Sequence, residues 1–169
     1  MIETIINDIN YRLDEDNLTA EVMENEGYEG DIIIPETVVF NTATYRVTSI
    51  GEHAFDCCSS LTTVVVHDGV MSIEKRAFFG CQSLTNITIP ASVKSIGTEA
   101  FYDCSSLTSI VIPDSVTSIE WWAFCGCKSL TDITFQGTIA QWKKITLRDS
   151  WKHNIPATVV HCTDGDVEI

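Results

Sequence analysis

Residues 95–113 read SIGTEAFYDCSSLTSIVIP, and this stretch decides the fold because its pattern recurs along the chain. A Val-x-Ser-Ile element returns every 23 residues, at Val47–Ile50, Val70–Ile73, Val93–Ile96 and Val116–Ile119. The same step of 23 residues links an Ala-Phe pair, a cysteine and a leucine in each unit. A fixed period of this length is typical of a protein built from stacked repeats.

The end of each repeat predicts a short strand. Leu107 is followed by Ile110 and Ile112, whose spacing of two places both on one face of a strand. The leucine enters the same core from the preceding turn. Pro113 cannot donate a ladder hydrogen bond, so we expect it to close the strand.

The remainder of each repeat must return the chain to the start of the next strand. The Val-x-Ser-Ile element runs back across the coil, Gly51 or Gly97 permits a tight turn, and a short helical turn carries the Ala-Phe pair. One coil cannot bury its own apolar side chains, so neighbouring coils must stack on each other. The sequence therefore predicts an α/β repeat solenoid, a right-handed leucine-rich-repeat coil with a parallel β-sheet on one face and strands about 4.8 Å apart.

The run Ser95–Pro113 resembles the repeat of the BspA-like leucine-rich repeat family, also called the Treponema pallidum type. The resemblance covers about residues 31–137. It implies the solenoid fold, and it implies a bacterial or protozoan protein that is secreted or displayed at the cell surface and takes part in adhesion. Fold alone does not determine function, so the residues that escape the repeat need separate consideration.

The two raw ends of a stack of repeats need caps, which predicts three parts within a single domain over residues 1–169. Residues 1–30 are interpreted as an N-terminal β-hairpin cap, residues 31–137 as about five repeats, and residues 138–169 as a C-terminal cap.

Within those parts, the following elements are predicted. The hairpin has strands over Ile5–Leu13 and Leu18–Met23. Asp31–Pro35 is a first repeat strand, and Glu36–Arg46 is a longer connection into the regular repeats. The C-terminal cap combines a short helix over Thr138–Thr146, Trp151 and a strand over Thr158–His161.

The charge balance excludes several classes of partner. Ten Lys and Arg residues against 24 Asp and Glu residues give a net charge of −14. This acidic surface repels phosphate backbones and anionic lipid head groups, so we expect neither nucleic-acid binding nor binding to a membrane surface. No apolar run approaches the roughly 18 residues needed to span a bilayer, so we expect no direct membrane insertion. The first residues of the chain have neither the basic segment nor the apolar stretch of a signal peptide, so the secreted or surface location rests on the family resemblance. The oligomeric state stays open.

Seven cysteines raise the question of disulfides and metals. Four of them follow the repeat, and we interpret them as small buried thiols that pack in the core: Cys58, Cys81, Cys104 and Cys127. A zinc site would require converging ligands at spacings such as Cys-x-x-Cys, which the sequence lacks. Three cysteines lie outside this series and are predicted to be the accessible ones: Cys57, Cys125 and Cys162.

The sequence predicts no catalytic site, no metal site and no cofactor. The four histidines occupy unrelated positions in the repeat, and the serines that recur with the period are explained as turn residues. The acidic Asp14–Asn17 cluster lacks the spaced ligands and terminal Glu of a calcium loop, which favours a solvated turn.

Function is expected at positions that the period does not determine. Eight side chains flank the inward residues of the predicted strands and would project from the sheet as a candidate partner-binding face: Thr63, Val65, Asn86, Thr88, Ser109, Val111, Asp132 and Thr134. An extended sheet surface of this kind suits a protein partner through many shallow contacts. The alternative is an unoccupied, solvated sheet.

Trp121 and Trp122 form a second candidate, because other repeats carry charged or polar residues there. Two interpretations remain open. The indoles pack under the C-terminal cap with Trp142 and Trp151, or they mark a contact with a partner or a second copy, since Trp is enriched among interface anchors.

These features predict a non-enzymatic interaction module that binds a host or bacterial surface protein, or a glycan as the weaker alternative, and takes part in adhesion. The competing hypothesis is a structural spacer, a repeat fragment of a larger surface protein with no ligand site of its own.

Overall fold

The structure, a computed structural model, describes residues 1–25 and 27–169. The N-terminal part contains six strands: β1 (Ile2–Ile6), β2 (Ile9–Asp14), β3 (Thr19–Val22), β4 (Gly30–Ile34), β5 (Thr37–Phe40) and β6 (Ala43–Ile50). The repeats add seven strands: β7 (Leu61–Val66), β8 (Ser72–Ile73), β9 (Asn86–Thr88), β10 (Ser95–Ile96), β11 (Ser109–Ile112), β12 (Ser118–Ile119) and β13 (Asp132–Phe135). The C-terminal part contains one helical turn and three strands: α1 (Ile139–Trp142), β14 (Thr146–Leu147), β15 (Val159–Cys162) and β16 (Gly165–Glu168).

The coils stack in parallel on two sides of the molecule, whereas the sequence predicted a sheet on one face only. Strands β6, β8, β10, β12 and β14 pair in parallel through the Val-x-Ser-Ile elements and extend the N-terminal strands into a nine-stranded sheet. On the other side, β4-β7-β9 and β11-β13-β15-β16 form two smaller sheets. The Ser-Ile pairs are only two residues long in each coil, which is why their sequence does not signal a strand.

The N-terminal cap differs from the predicted two-stranded hairpin. The predicted strand Ile5–Leu13 is wrong, because Asn7 and Asp8 form a turn with φ of 49° and 64° that divides it into β1 and β2. Asn and Asp tolerate this left-handed conformation better than other non-glycine residues. Strand β3 pairs antiparallel with β2 and parallel with β6, so the cap continues directly into the repeat sheet.

Glu36–Arg46 is also more regular than predicted. It forms a hairpin in which β5 pairs antiparallel with β6, with Asn41 and Thr42 in the left-handed region at the turn. The first repeat strand is confirmed, because β4 pairs in parallel with β7.

The Ala-Phe segment is a series of tight turns, and the predicted helical turn there is wrong. The Asp56 N–H donates to the His53 carbonyl three residues back, at 3.0 Å, while the Phe55 N–H donates to the Ala77 carbonyl of the next coil, at 2.7 Å. This alternation recurs in the following coils. In a helix, each of these N–H groups would donate to a carbonyl of its own coil. Here every second N–H donates to a carbonyl of the neighbouring coil instead.

Close approach, and not a left-handed turn, explains the glycines that follow the Val-x-Ser-Ile element. A Cβ on Gly51 would lie 2.7 Å from the Val22 carbonyl oxygen. A Cβ on Gly97 would lie 2.6 Å from the Glu74 carbonyl carbon. The coils meet here backbone to backbone, without room for a side chain.

A column of stacked phenylalanines runs through the core. Phe55, Phe78, Phe101 and Phe124 are buried, and successive ring centroids are 4.9, 5.2 and 5.2 Å apart with nearly parallel planes. Tyr28 covers one end of the column and Trp151 the other. The coil spacing therefore equals the stacking distance of two rings, which lets one aromatic residue per coil fill the core continuously.

The cysteine series Cys58, Cys81, Cys104 and Cys127 is buried in the core, as predicted. Cys104 Sγ lies 3.1 Å from the Phe78 carbonyl oxygen of the preceding coil, and Cys127 Sγ lies 3.0 Å from that of Phe101. The thiols thus bond to the backbone of the neighbouring coil.

At the C-terminal end, α1 spans four residues and is shorter than the predicted helix over Thr138–Thr146. Thr138 and Gln141 form a capping box at its start. Trp142 is buried and contacts Phe135 and Trp151 edge to face. In the described part of the chain, no helix is long and apolar enough to cross a membrane.

Candidate functional site

The first candidate site is the outer surface of β4, β7, β9, β11, β13 and β15, which we call the strand face. β7 pairs in parallel with β9, which places Thr63 beside Asn86 and Val65 beside Thr88. β11 pairs in parallel with β13, which places Ser109 beside Asp132 and Val111 beside Thr134. β9 and β11 lie side by side at the junction between the two sheets. The eight predicted residues thus occupy one surface, made of two sheets.

A row of β-branched side chains runs across this surface. Val65 pairs with Thr88 on one sheet, and Val111 pairs with Thr134 on the other. Val111 is 43% exposed. β-Branched side chains lose little rotamer freedom when they are covered, which suits them to a contact surface.

A polar row runs beside the row of β-branched side chains. Asp31, Thr63 and Asn86 are in register across β4, β7 and β9. The Asp31 carboxylate accepts a hydrogen bond from Thr62 Oγ1 at 2.9 Å, and this bond lowers the pKa of Asp31. Ser109 and Asp132 continue the polar positions on the second sheet. Both ends of the row therefore carry a carboxylate.

Sequence reasoning missed three residues of the strand face, namely Asp31, Ile33 and His161. Ile33 lies next to Val65 and is 60% exposed, although Asp31–Pro35 was recognised as a strand. At the other end His161 lies next to Thr134, and its Nδ1 lies 2.8 Å from Asp166 Oδ1. The alternation within β4 would have identified Ile33, whereas β15 and β16 lie outside the 23-residue period.

The two adjacent tryptophans do not pack beneath the C-terminal cap, so that interpretation is wrong. Trp121 and Trp122 are 40% and 42% exposed, and their ring centroids are 6.1 Å apart. The buried cluster contains Trp142 and Trp151. Trp122 has φ of 53°, and the equivalent His53, Arg76 and Glu99 also have positive φ, so the turn directs this side chain outward in every coil.

A cavity of about 400 Å³ lies beside Trp122, and we call it the ring slot. Its lining combines aromatic, charged and sulfur-containing side chains: Arg76, Phe79, Glu99, Tyr102, Trp122, Cys125 and His153. Arg76 forms a salt bridge with Glu99, and its guanidinium carbon lies 4.8 Å from the Phe79 ring centroid.

The prediction that Cys125 is accessible is wrong, because only 6% of it is exposed. It forms the floor of the ring slot, where burial raises the pKa of its thiol. Cys57 is exposed and Cys162 partly exposed. Within residues 1–25 and 27–169, no group of three or more His, Cys, Asp or Glu side chains is arranged to hold a metal ion.

The fold that carries these surfaces is similar to those of several solved structures. A leucine-rich repeat protein from Bacteroides ovatus is 33% identical, with a TM-score of 0.72, over 81% of this chain and 38% of that protein. The chain therefore spans less than half the length of this relative. A leucine-rich repeat protein from Bacteroides capillosus is 25% identical, with a TM-score of 0.62, over 95% of this chain and 97% of that protein.

A third solved structure is described as a leucine rich cell surface protein from Faecalibacterium prausnitzii. It is 25% identical, with a TM-score of 0.51, over 97% of this chain and 55% of that protein. No curated protein sequence matches the chain significantly.

The family follows from the repeats themselves. The sequence profile of the BspA type leucine-rich repeat region matches residues 36–154 in six copies, which is more than half of the chain. This agrees with the 23-residue period and with the parallel stacking of the coils. The chain belongs to the BspA-type leucine-rich repeat family.

Proposed function

We propose that this chain is a non-enzymatic protein-interaction module that binds a surface protein across its strand face. The observation that carries the proposal is the row of β-branched side chains across the stacked coils, in which Ile33 is 60% and Val111 43% exposed. A preformed surface loses little conformational entropy on binding, so many shallow contacts can add up to useful affinity.

The proposed partner is a protein of a host or of another bacterium, with a glycan as the weaker alternative. The net charge of −14 favours a partner with a basic surface, because complementary charge speeds association. Adhesion and a secreted or cell-surface location are part of the proposal. The family membership and the cell-surface description of the Faecalibacterium prausnitzii protein support them.

The test compares two double variants with the same change of charge. T88K/V111K alters the strand face, whereas M71K/T117K alters exposed positions that directly precede β8 and β12 of the nine-stranded sheet. Binding of each purified variant to an immobilised extracellular-matrix preparation and to a bacterial surface-protein extract is measured by biolayer interferometry. We expect T88K/V111K to abolish wild-type binding and M71K/T117K to retain it.

Equal binding by the two double variants would place the contact elsewhere on the molecule. Absence of wild-type binding to both preparations would favour a second function, a structural spacer within a larger surface protein. The coverage of only 38% of the Bacteroides ovatus protein is the observation in favour of that alternative.

A further inference from the structure

The ring slot lies at an interruption in a second aromatic column, on the outside of the solenoid. The residue after each Ala-Phe pair is Asp56, Phe79, Tyr102 or Cys125 in successive coils. The Phe79 and Tyr102 rings stack with centroids 5.0 Å apart and planes 9° from parallel. The next position holds only a cysteine, so the stack stops at Tyr102.

The C-terminal cap supplies a further position in this column. The Asp103 N–H donates to the Cys125 carbonyl, and one coil later the Gly126 N–H donates to the His153 carbonyl at 3.0 Å. Ser150 likewise has φ of 59°, close to the 53° of the corresponding Trp122. His153 therefore occupies the column position that follows Cys125.

A small side chain thus sits between two ring-bearing positions. Adjacent coils are about 5 Å apart, so Tyr102 and His153 stand about 10 Å apart along the stack, two coil steps in all. One further ring midway would lie about 5 Å from each, which is within the range of stacked aromatic pairs. The cavity of about 400 Å³ occupies this place.

The walls of the slot are held in position and present ring surfaces. Phe79 stacks on one face of Tyr102 and holds this ring in position, and Cys125 lines the cavity next to it. Trp122 forms a side wall, with 42% of its surface exposed. Trp121 is exposed beside Trp122, with ring centroids 6.1 Å apart.

The charges in the lining of the slot favour a neutral ring over a cation, although the Asp103 carboxylate lies near Tyr102 and Cys125 outside the lining. Glu99 is the carboxylate that lines the cavity, and Arg76 already neutralises it in a salt bridge. The nearby Arg76 guanidinium would repel a cationic ligand, and the lining offers no unpaired carboxylate to bind it. We propose that the ring slot binds the aromatic side chain of a polypeptide partner, which completes the column at Cys125.

This site is separate from the strand face and does not depend on it. The side chains that line the slot belong to the turns after the Val-x-Ser-Ile elements and to the loop that carries His153, whereas the strand face belongs to β4, β7, β9, β11, β13 and β15. A variant of the slot therefore leaves the proposed function across the strand face unchanged.

The principal experiment fills the slot from within the chain. Cys125→Tyr gives this coil the residue that Tyr102 provides one coil earlier, so we expect a cooperative melt at or above the wild-type temperature. Cys125→Ser is the matched control that keeps the slot open. The probe is N-acetyl-tryptophan amide, titrated while the backbone amide signals of Cys125 and His153 are followed by NMR.

The expected result is saturable ring-current shifts in wild type and in C125S. Binding should be about tenfold weaker or lost in C125Y, the magnitude of one aromatic stacking contact. His153→Ala removes an exposed wall without touching the core and should weaken binding similarly. Retained binding in C125Y would overturn the proposal. If C125Y fails to fold, retained binding in H153A would overturn it instead.

Other probes separate the ligand classes. N-acetyl-cyclohexylalanine amide is expected to bind more weakly than the tryptophan amide, because it has similar bulk but no π-face. Stronger binding of N-acetyl-arginine amide or of a methyl glycoside would overturn the assignment to an aromatic side chain. Peptides selected from a display library on wild type, with counter-selection on C125Y, should share a Trp, Tyr or Phe, and selected peptides without one would contradict a polypeptide ligand of this kind.

Discussion

Cys81 Sγ lies 3.1 Å from the carbonyl oxygen of Phe55, so a side chain of one coil donates a hydrogen bond to the backbone of the coil before it. Burial raises the pKa of the Cys81 and Cys104 thiols. Both features keep the thiol protonated, and a thiol reacts with electrophiles only as its thiolate. Cys81 and Cys104 therefore link neighbouring coils, and their thiols are chemically inert in the folded protein.

Alkylation should distinguish these thiols from a more accessible one. In the native protein we expect iodoacetamide to modify the partly exposed Cys162 before Cys81, Cys104 or Cys127, and to reach those three only after denaturant is added. Peptide mapping by mass spectrometry measures the order. Equal labelling of Cys104 and Cys162 without denaturant would contradict the buried series.

The core position of Leu107, which has no exposed surface, predicts a large loss of stability on truncation. Leu107→Ala should lower the free energy of unfolding by about 2–5 kcal/mol, because it leaves a cavity between stacked coils. The adjacent Thr108 is exposed, so Thr108→Ala should change it by less than about 0.5 kcal/mol. Urea denaturation followed by circular dichroism compares the two variants, and similar midpoints would refute the core assignment.

Gly97→Ala tests the close approach of two coils. The new Cβ would lie 2.6 Å from the Glu74 carbonyl carbon and 2.8 Å from the Lys75 nitrogen. Both contacts are with backbone atoms that cannot rotate away, so we expect a loss of about 1–3 kcal/mol in the free energy of unfolding. Thr98→Ala is the control at the neighbouring position. If G97A melts at the same temperature as T98A, the coils are less tightly apposed than the structure shows.

The C-terminal hairpin should depend on pH through His161. Its hydrogen bond to Asp166 raises the pKa of the imidazole. A raised folded-state pKa means that the pair stabilises the fold fully below the unfolded-state pKa and that this contribution disappears as pH rises through the folded-state value. NMR titration should give a pKa above that of an unperturbed histidine, and Asp166→Asn should return it to the ordinary range. An unchanged His161 titration in D166N would exclude the pair.

The period alone identified the residues that face the core. Phe101, Cys104 and Leu107 are buried, as their recurrence predicted, because a side chain that recurs in every coil must pack against its equivalents in neighbouring coils. The strand face was also predictable, since alternation within a strand sends every second residue outward.

The tertiary structure determines the features that do not recur with the 23-residue period. The β5–β6 hairpin and the second parallel sheet depend on pairing between distant segments, and the exposure of Trp121 and Trp122 depends on where the C-terminal cap docks. The ring slot shows the limit most clearly. Cys125 is visible in the sequence as a departure from the aromatic positions, but His153 is outside the 23-residue step and reaches the column only because α1 and β14 lengthen the last coil. The sequence by itself determined the stacking of the coils, because packing must repeat wherever the residues repeat. Which rings and surfaces stay exposed to a partner depends on how the N- and C-terminal caps pack against the repeats, and only the tertiary structure decides that.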